Sequence, residues 1–158
     1  MPEIPSLGRR GEGWVVLQFV LIGVLVAVCI SGPRWPDEAG RSLLVVGALV
    51  AVAGAVVVAA AVRALGRSLT PFPKPPRGGR LVVDGPYRVV RHPIYSGGIL
   101  VSAGLSFALS PLALAVTALL AVVWALKSSV EERYLGAAYR EYELYCARTR
   151  FRLVPFVF

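Results

Sequence analysis

Three long stretches without charged side chains constrain this chain more than any other feature. Residues 14–31, 42–62 and 92–126 contain no Asp, Glu, Lys or Arg. A helix that crosses a bilayer needs roughly 17 to 25 apolar residues. The chain as a whole is 56% hydrophobic and 16% charged, whereas soluble chains carry roughly 25% charged residues. The sequence therefore predicts an all-α, polytopic integral membrane protein and excludes an ordinary soluble domain.

The third stretch is long enough to form two helices. Ser110-Pro111 lies near its middle, and proline is favoured in the first turn of a new helix. We therefore predict four transmembrane helices, of which the last two form a helical hairpin. Residues 132–148 carry apolar side chains at helical spacing, which predicts a C-terminal amphipathic helix. The whole chain, 1–158, is expected to be one membrane domain, with two spans in 1–64 and a functional core in 65–158.

Basic residues predict the orientation of these spans. Seven Arg and Lys residues lie between the second and third stretches, and six follow the third. Positively charged loops stay in the cytoplasm, so we expect both termini to be cytoplasmic and the protein to lie in the inner membrane of the cell. The net charge of +8 indicates attraction to anionic headgroups. Nucleic-acid binding is not expected, because the basic residues are spread along loops that flank the membrane.

Two further segments have alternative interpretations. In the second stretch, Gly47, Ala51, Ala55 and Ala59 recur every four residues, a pattern that lets helices approach closely in lipid. Packing within the chain is favoured over a homodimer interface. Residues 70–79 contain four prolines and cannot form a regular helix. A stiff spacer is the favoured interpretation, and a cover over a pocket, hinged at Gly78-Gly79, is the alternative.

Polar residues gather at the two ends of the predicted hairpin. Residues 87–95 read Tyr-Arg-Val-Val-Arg-His-Pro-Ile-Tyr, and Glu131-Glu132 follow the far end of the same apolar stretch. A hairpin would bring both clusters to one membrane face. Titratable groups at the membrane boundary are costly unless they are used, so we predict a functional site where the clusters meet. Adjacent residues on a helix project in different directions, and only one of the two glutamates is expected to face the pocket.

These motifs resemble a known enzyme family. Gly85-Pro86-Tyr87-Arg88-x-x-Arg91-His92-Pro93-Ile94-Tyr95-x-Gly97, followed after a hydrophobic hairpin by Glu131-Glu132-x-x-Leu135 and Tyr139-x-x-Tyr142, is similar to the isoprenylcysteine carboxyl methyltransferase family and its phospholipid N-methyltransferase relatives. The resemblance begins near Leu65. It implies an S-adenosylmethionine-dependent integral membrane methyltransferase, with the cofactor at the cytosolic ends of the last two spans. No G-x-G-x-x-G segment is present, which argues against a Rossmann domain.

The resemblance also implies roles for individual residues. Arg91, His92 and Tyr95 would hold the carboxylate or ribose of the cofactor. Glu131 and Glu132 would bind its ammonium or ribose. The complete cofactor-binding set is Tyr87, Arg91, His92, Pro93, Tyr95, Gly97, Gly98, Glu131, Glu132 and Tyr142, with the two glycines letting the helix approach the ligand. His92, Glu132 and Arg91 are the candidate catalytic residues.

The methyl acceptor is expected to be a lipophilic small molecule or lipid that enters from the bilayer. A carboxylate acceptor needs no base, whereas an amine or thiol must lose a proton, with His92 or a glutamate as the candidate base. Two other functions remain open: a nicotinamide-dependent membrane reductase of the steroid-reductase type, and a non-catalytic lipid-binding membrane protein. Neither cysteine lies in a C-x-x-C or Cys/His array, so no metal site is expected.

Overall fold

The chain folds into a bundle of α-helices, as predicted. The computed structural model describes residues 4–155. Within them the helices are α1 (Glu12–Ser31), α2 (Asp37–Leu65), α3 (Pro93–Leu109), α4 (Pro111–Ala138) and α5 (Tyr142–Arg148). Short 3₁₀ turns occupy Gly66–Ser68 and Gly85–Arg88. The all-α prediction is confirmed.

Three of the helices are long and apolar enough to cross a membrane. They are α1, α2 with the turn that follows it, and α4. Helix α3 is apolar but has only 17 residues, which is the lower limit for a span. Large apolar side chains such as Phe19, Leu49 and Val122 are exposed on the outside of the bundle, where lipid would contact them. These features agree with a multi-pass membrane protein, and the crossing by α3 stays a prediction.

The predicted hairpin between the last two long helices is confirmed. Helix α3 ends at Leu109, Ser110 is extended with φ −158° and ψ 128°, and Pro111 begins α4. The turn is closed at Ser110, whose N–H donates to the Ser106 carbonyl at 3.0 Å and whose carbonyl accepts from the Ala113 N–H at 3.2 Å. The beginning of α3 and the end of α4 therefore lie at the same end of the bundle. We call this end, where α2 also ends, the polar end.

Helices α2 and α3 touch backbone to backbone through small residues. A Cβ atom built on Gly104 would lie 2.4 Å from the backbone nitrogen of Ala51, and one built on Gly54 would lie 2.7 Å from the Gly97 carbonyl oxygen. Side chains larger than hydrogen would push the helices apart. The small residues therefore support packing within the chain, as favoured from the sequence.

The small residues of α2 that are buried differ in part from those predicted to share one face of the helix. Gly47, Gly54 and Ala61 are buried, whereas Ala55 and Ala59 are exposed. An α-helix has 3.6 residues per turn, so a strict four-residue spacing rotates by about 40° at each step and leaves the contact face. The buried residues are instead spaced seven apart, which is close to two helical turns and keeps them on one face.

The predicted C-terminal amphipathic helix over 132–148 is wrong in its extent. Helix α4 continues to Ala138, the chain is extended at Tyr139 with φ −125° and ψ 116°, and α5 begins only at Tyr142. The break lets Tyr142 and Tyr145 turn back and become buried. This burial outweighs the continuous helical pattern. Glu131 and Glu132 consequently lie inside the last turns of α4.

Candidate active site

A cavity of about 330 Å³ lies at the polar end of the bundle, near the lower limit for small-molecule pockets. Its walls come from the end of α2, the proline-rich segment, the start of α3 and the last turns of α4. Apolar side chains on α2 and α3, among them Val62, Leu65 and Ile94, form one side. The titratable residues that border the cavity are Arg80, Tyr87, Arg91, His92, Tyr95, Lys127, Glu131, Tyr139 and Tyr145.

The two polar clusters meet beside this cavity, as the hairpin predicted. His92 precedes the first residue of α3, and its Nε2 atom lies 3.2 Å from Glu132 Oε1. Its Nδ1 atom lies 3.8 Å from Glu131 Oε2. The Tyr95 hydroxyl, one turn into α3, donates to the same Glu131 oxygen at 2.7 Å. The start of α3 and the end of α4 are thus joined through both glutamates.

Both carboxylate oxygens of Glu132 form ion pairs with arginines. Its Oε1 atom accepts from Arg91 Nε at 2.7 Å, and its Oε2 atom accepts from Arg152 Nη2 at 2.8 Å. The side chains of Glu132 and Arg91 are only 14% and 12% exposed. Glu132 is not among the described residues that border the cavity. The structure therefore places this predicted catalytic residue behind the cavity wall.

Arg91 also fastens the C-terminal segment to the start of α3. Its Nη1 atom donates to the carbonyls of Thr149 at 2.9 Å and Arg150 at 2.7 Å. Its backbone N–H donates to the Phe151 carbonyl at 2.9 Å. Burial disfavours the charged guanidinium, but the hydrogen bond and charge of Glu132 more than offset it and raise the pKa of Arg91. Arg91 is therefore a permanent cation at the cavity wall.

Glu131 is the glutamate that faces the cavity. Adjacent helical residues are about 100° apart around the axis, and the described ion pairs of Arg91 and Arg152 are with Glu132. The Glu131 side chain is 26% exposed and borders the cavity. This agrees with the expectation that only one acid of the pair would do so. The carboxylate keeps Oε1 available, since its only described hydrogen bond is the one that Oε2 accepts from Tyr95.

Aromatic rings form a stacked row along the site. The rings of His92 and Tyr95 are 5.6 Å apart with a 9° interplanar angle, and those of Tyr95 and Trp124 are 6.0 Å apart at 11°. Tyr87 is buried in its 3₁₀ turn, and its pKa is raised by this burial and by the charge of Glu131. These side chains supply flat apolar faces beside the polar groups.

Several predicted cofactor-binding residues do not border the cavity. A Cβ atom on Gly97 would lie 2.7 Å from Val58 of α2, and one on Gly98 would lie 2.7 Å from the Trp124 ring of α4. The bare face of α3 therefore contacts neighbouring helices, an alternative that the sequence pattern alone could not distinguish from ligand contact. Pro93 is buried in the first turn of α3, and Tyr142 is buried in α5 against Tyr145. Direct contact of these four residues with a cofactor stays a prediction.

Lys127 and Gln18 are site residues that the sequence reasoning missed. The Lys127 Nζ atom donates to Gln18 Oε1 at 2.5 Å and to the Pro71 carbonyl at 2.8 Å. Both side chains border the cavity. A signal was present, because Gln18 is a polar residue inside an apolar span and Lys127 lies one helical turn before Glu131.

The proline-rich segment is a wall of the cavity, which favours the cover interpretation over the spacer. Pro71, Phe72 and Pro73 all border the cavity. The segment is held by the chain before α1, because the Arg10 guanidinium carbon lies 4.2 Å from the centre of the Phe72 ring and Pro73 contacts Gly11. The predicted hinge at Gly78-Gly79 stays a prediction.

The site combines one available carboxylate, an imidazole, three cationic side chains and aromatic faces around a partly apolar space. Such a set suits a flat zwitterionic ligand beside an apolar one. Among residues 4–155, no group of three or more His, Cys, Asp or Glu side chains is arranged to hold a metal ion.

Comparison with known proteins shows similarity to a protein family and to a bacterial relative. A family model for phospholipid methyltransferases matches residues 42–142, which include most of α2, all of α3 and α4, and both polar clusters. The chain is also 31% identical over 145 residues to the cobalt-zinc-cadmium resistance protein CzcN of Cupriavidus metallidurans. That alignment covers 89% of this chain and 61% of the relative, so the chain spans less than two thirds of the length of CzcN.

Proposed function

The chain belongs to the phospholipid methyltransferase family, and from this premise we propose that it transfers a methyl group from S-adenosylmethionine to a lipophilic acceptor, an isoprenoid carboxylate or a lipid. The reaction would take place at the cytosolic face of the inner membrane. The observation that supports this proposal best is the cavity bounded by both polar clusters at one end of a bundle of apolar helices.

The residues around the cavity fit the chemical groups of this cofactor. Its ammonium or ribose hydroxyls would donate to Glu131, the carboxylate that borders the cavity. Its carboxylate or ribose would accept from Arg91 or His92, and its adenine would lie against the aromatic faces. When bound, the cofactor supplies an electrophilic methyl group on sulfur. The protein then has to align donor and acceptor in line and exclude water, and the wall formed by Pro71 and Phe72 supports this second task.

The acceptor would occupy the apolar side of the cavity. Val62, Leu65 and Ile94 supply that side, and they lie on helices whose outer faces are apolar. A carboxylate acceptor would react without a base. An amine acceptor would first lose a proton, and Glu131 or His92 is close enough to the cavity to accept it.

Cofactor binding is the first test. Isothermal titration calorimetry of the purified protein in detergent would compare S-adenosylhomocysteine with reduced nicotinamide dinucleotide phosphate. We expect binding of the first and none of the second. Binding of the nicotinamide compound alone would favour the reductase alternative, and absence of S-adenosylhomocysteine binding at high micromolar concentration would contradict the proposal.

Methyl transfer is the second test. Membranes from cells that overproduce the protein would be incubated with methyl-labelled S-adenosylmethionine and extracted with organic solvent. We expect label in the lipid extract, and its loss in a Glu131→Gln variant. A protein that binds lipid without catalysis would give no label above that of membranes lacking the protein, and this result would reject the enzyme proposal.

A further inference from the structure

Lys127 is a buried cation whose two described hydrogen-bond partners are neutral. Its side chain is 1% exposed, and it is among the largest fully buried side chains of the described chain. Its two hydrogen-bond acceptors are the Gln18 amide oxygen and the Pro71 carbonyl oxygen. Among residues 4–155, no carboxylate oxygen lies within 4.0 Å of its Nζ atom. The Nζ atom also lies 5.4 Å from the centre of the Tyr95 ring.

This arrangement leaves one hydrogen-bond donor of Lys127 without an acceptor among the described residues. An ammonium has three donors, and the described residues accept from two of them. A buried charge without an opposite charge is costly. Since Lys127 borders the cavity, an anionic oxygen inside the cavity would both use the third donor and neutralise the charge.

Gln18 offers a second donor at the same place. Its Oε1 atom accepts from the Trp124 indole N–H at 3.3 Å as well as from Lys127. Both of these partners can only donate, so they fix the orientation of the amide and leave its NH₂ group as a donor. Gln18 also borders the cavity. An ammonium and an amide side by side match the two oxygens of a carboxylate.

Glu131 would direct a carboxylate toward Lys127. The two residues are four positions apart on α4, which places them on one face with Cα atoms about 6 Å apart along the axis. Glu131 repels a second carboxylate and attracts cationic groups, whereas Lys127, one turn deeper in the bundle, does the opposite. The cavity therefore separates charges of opposite sign over one helical turn.

We propose that Lys127 and Gln18 form a carboxylate-binding subsite in the cavity. The carboxylate can come from the amino-acid end of the cofactor or from an acidic methyl acceptor. The identity of the natural ligand rests on the proposed function, whereas the subsite itself does not.

The test measures binding of two pairs of probes to the full-length protein in detergent. Dodecanoate is compared with its methyl ester, and S-adenosylhomocysteine with methylthioadenosine, which lacks the amino-acid end. Lys127→Gln should weaken binding of the carboxylate probe that occupies the subsite by roughly 10-fold or more. Binding of the uncharged ester should be unchanged. Lys127→Arg should retain binding. Lys74→Gln is the matched control, because Lys74 is the other lysine of the chain and is exposed.

The results of this test distinguish the cofactor from an acidic methyl acceptor as the source of the carboxylate. A loss confined to dodecanoate identifies an acidic acceptor, and a loss confined to S-adenosylhomocysteine identifies the cofactor; either result supports the subsite. Lys127-dependent binding of dodecanoate without any binding of S-adenosylhomocysteine would support the subsite and contradict the methyl-transfer proposal. The subsite is overturned if Lys127→Gln binds both carboxylates as the unsubstituted protein does. If that variant does not fold, equal binding within both probe pairs by the unsubstituted protein overturns the subsite.

Discussion

The adjacent acids Glu131 and Glu132 should respond in opposite ways to the same substitution. Glu132 has both oxygens in ion pairs with Arg91 and Arg152, whereas Glu131 borders the cavity. We expect Glu132→Gln to destabilise the fold, and Glu131→Gln to weaken the proposed binding of S-adenosylhomocysteine while the fold is retained. The two variants remove the same charge from neighbouring positions, so each is the control for the other.

The magnitudes follow from the contacts. Removing one partner of a buried ion pair costs about 3 to 5 kcal/mol, and the Arg91, Glu132 and Arg152 side chains are 12%, 14% and 24% exposed, so we expect about 3 kcal/mol for Glu132→Gln. At position 131, the amide oxygen of glutamine can still accept from the Tyr95 hydroxyl, and the loss should stay below about 1 kcal/mol. Loss of a charge-assisted contact to the cofactor should weaken binding by roughly 10- to 100-fold.

Two measurements check this contrast. Unfolding in mixed detergent micelles, followed by circular dichroism, gives the change in the free energy of unfolding. Titration calorimetry with S-adenosylhomocysteine gives binding. Glu143→Gln, at an exposed position of α5, should alter neither. Equal destabilisation by Glu131→Gln and Glu132→Gln would contradict these roles, and so would a stable Glu132→Gln protein that lost binding while Glu131→Gln kept it.

Three further predictions concern stability. Gly104→Leu should cost about 3 kcal/mol of unfolding free energy, because a Cβ there would lie 2.4 Å from the backbone of α2. The control Gly23→Ala, where a Cβ meets nothing within 4 Å, should leave the unfolding free energy in the same detergent series unchanged or raise it by up to about 1 kcal/mol, because alanine favours a helix more than glycine does. Arg34→Ala removes the guanidinium that donates to carbonyls at the ends of α1 and α3 and should cost about 1 to 2 kcal/mol, and an unchanged unfolding midpoint would contradict that role. Tyr145→Phe removes a buried 2.8 Å hydrogen bond to the Tyr87 carbonyl and should lower the unfolding free energy by about 1 kcal/mol, measurable as a lower thermal midpoint.

The long helices were predictable because one local feature of the sequence is enough to indicate each of them. Long uncharged stretches require α1, α2 and the hairpin, and the single proline at position 111 fixes where the hairpin turns. The extent of α5 was not predictable in this way. The apolar pattern runs without interruption from 132 to 148, and only the burial of Tyr142 and Tyr145 against the rest of the chain explains the break at Tyr139.

The sequence predicted where the site lies, but it predicted fewer of the contacts that individual side chains make there. The motifs around His92 and the acid pair identified which segments meet, since the hairpin geometry requires it. Which acid faces the cavity depends on helix rotation, and the role of Gly97 and Gly98 depends on which neighbour approaches them. Lys127 was missed because its partners, Gln18 and Pro71, come from distant parts of the chain, and no local pattern connects them.

The position of the cavity follows from the packing of α2 and α3. Their backbones are in contact at Gly54 and Gly104, which leaves no room for a ligand between these helices within the bundle. The cavity lies where α2 ends at Leu65 and the chain departs as the proline-rich segment, which cannot continue the helix. The same end carries the acid pair of α4. The close contact of the small residues therefore confines the polar cavity to the end of the bundle, where the proposed reaction would need a water-soluble cofactor and a bilayer-derived acceptor to meet.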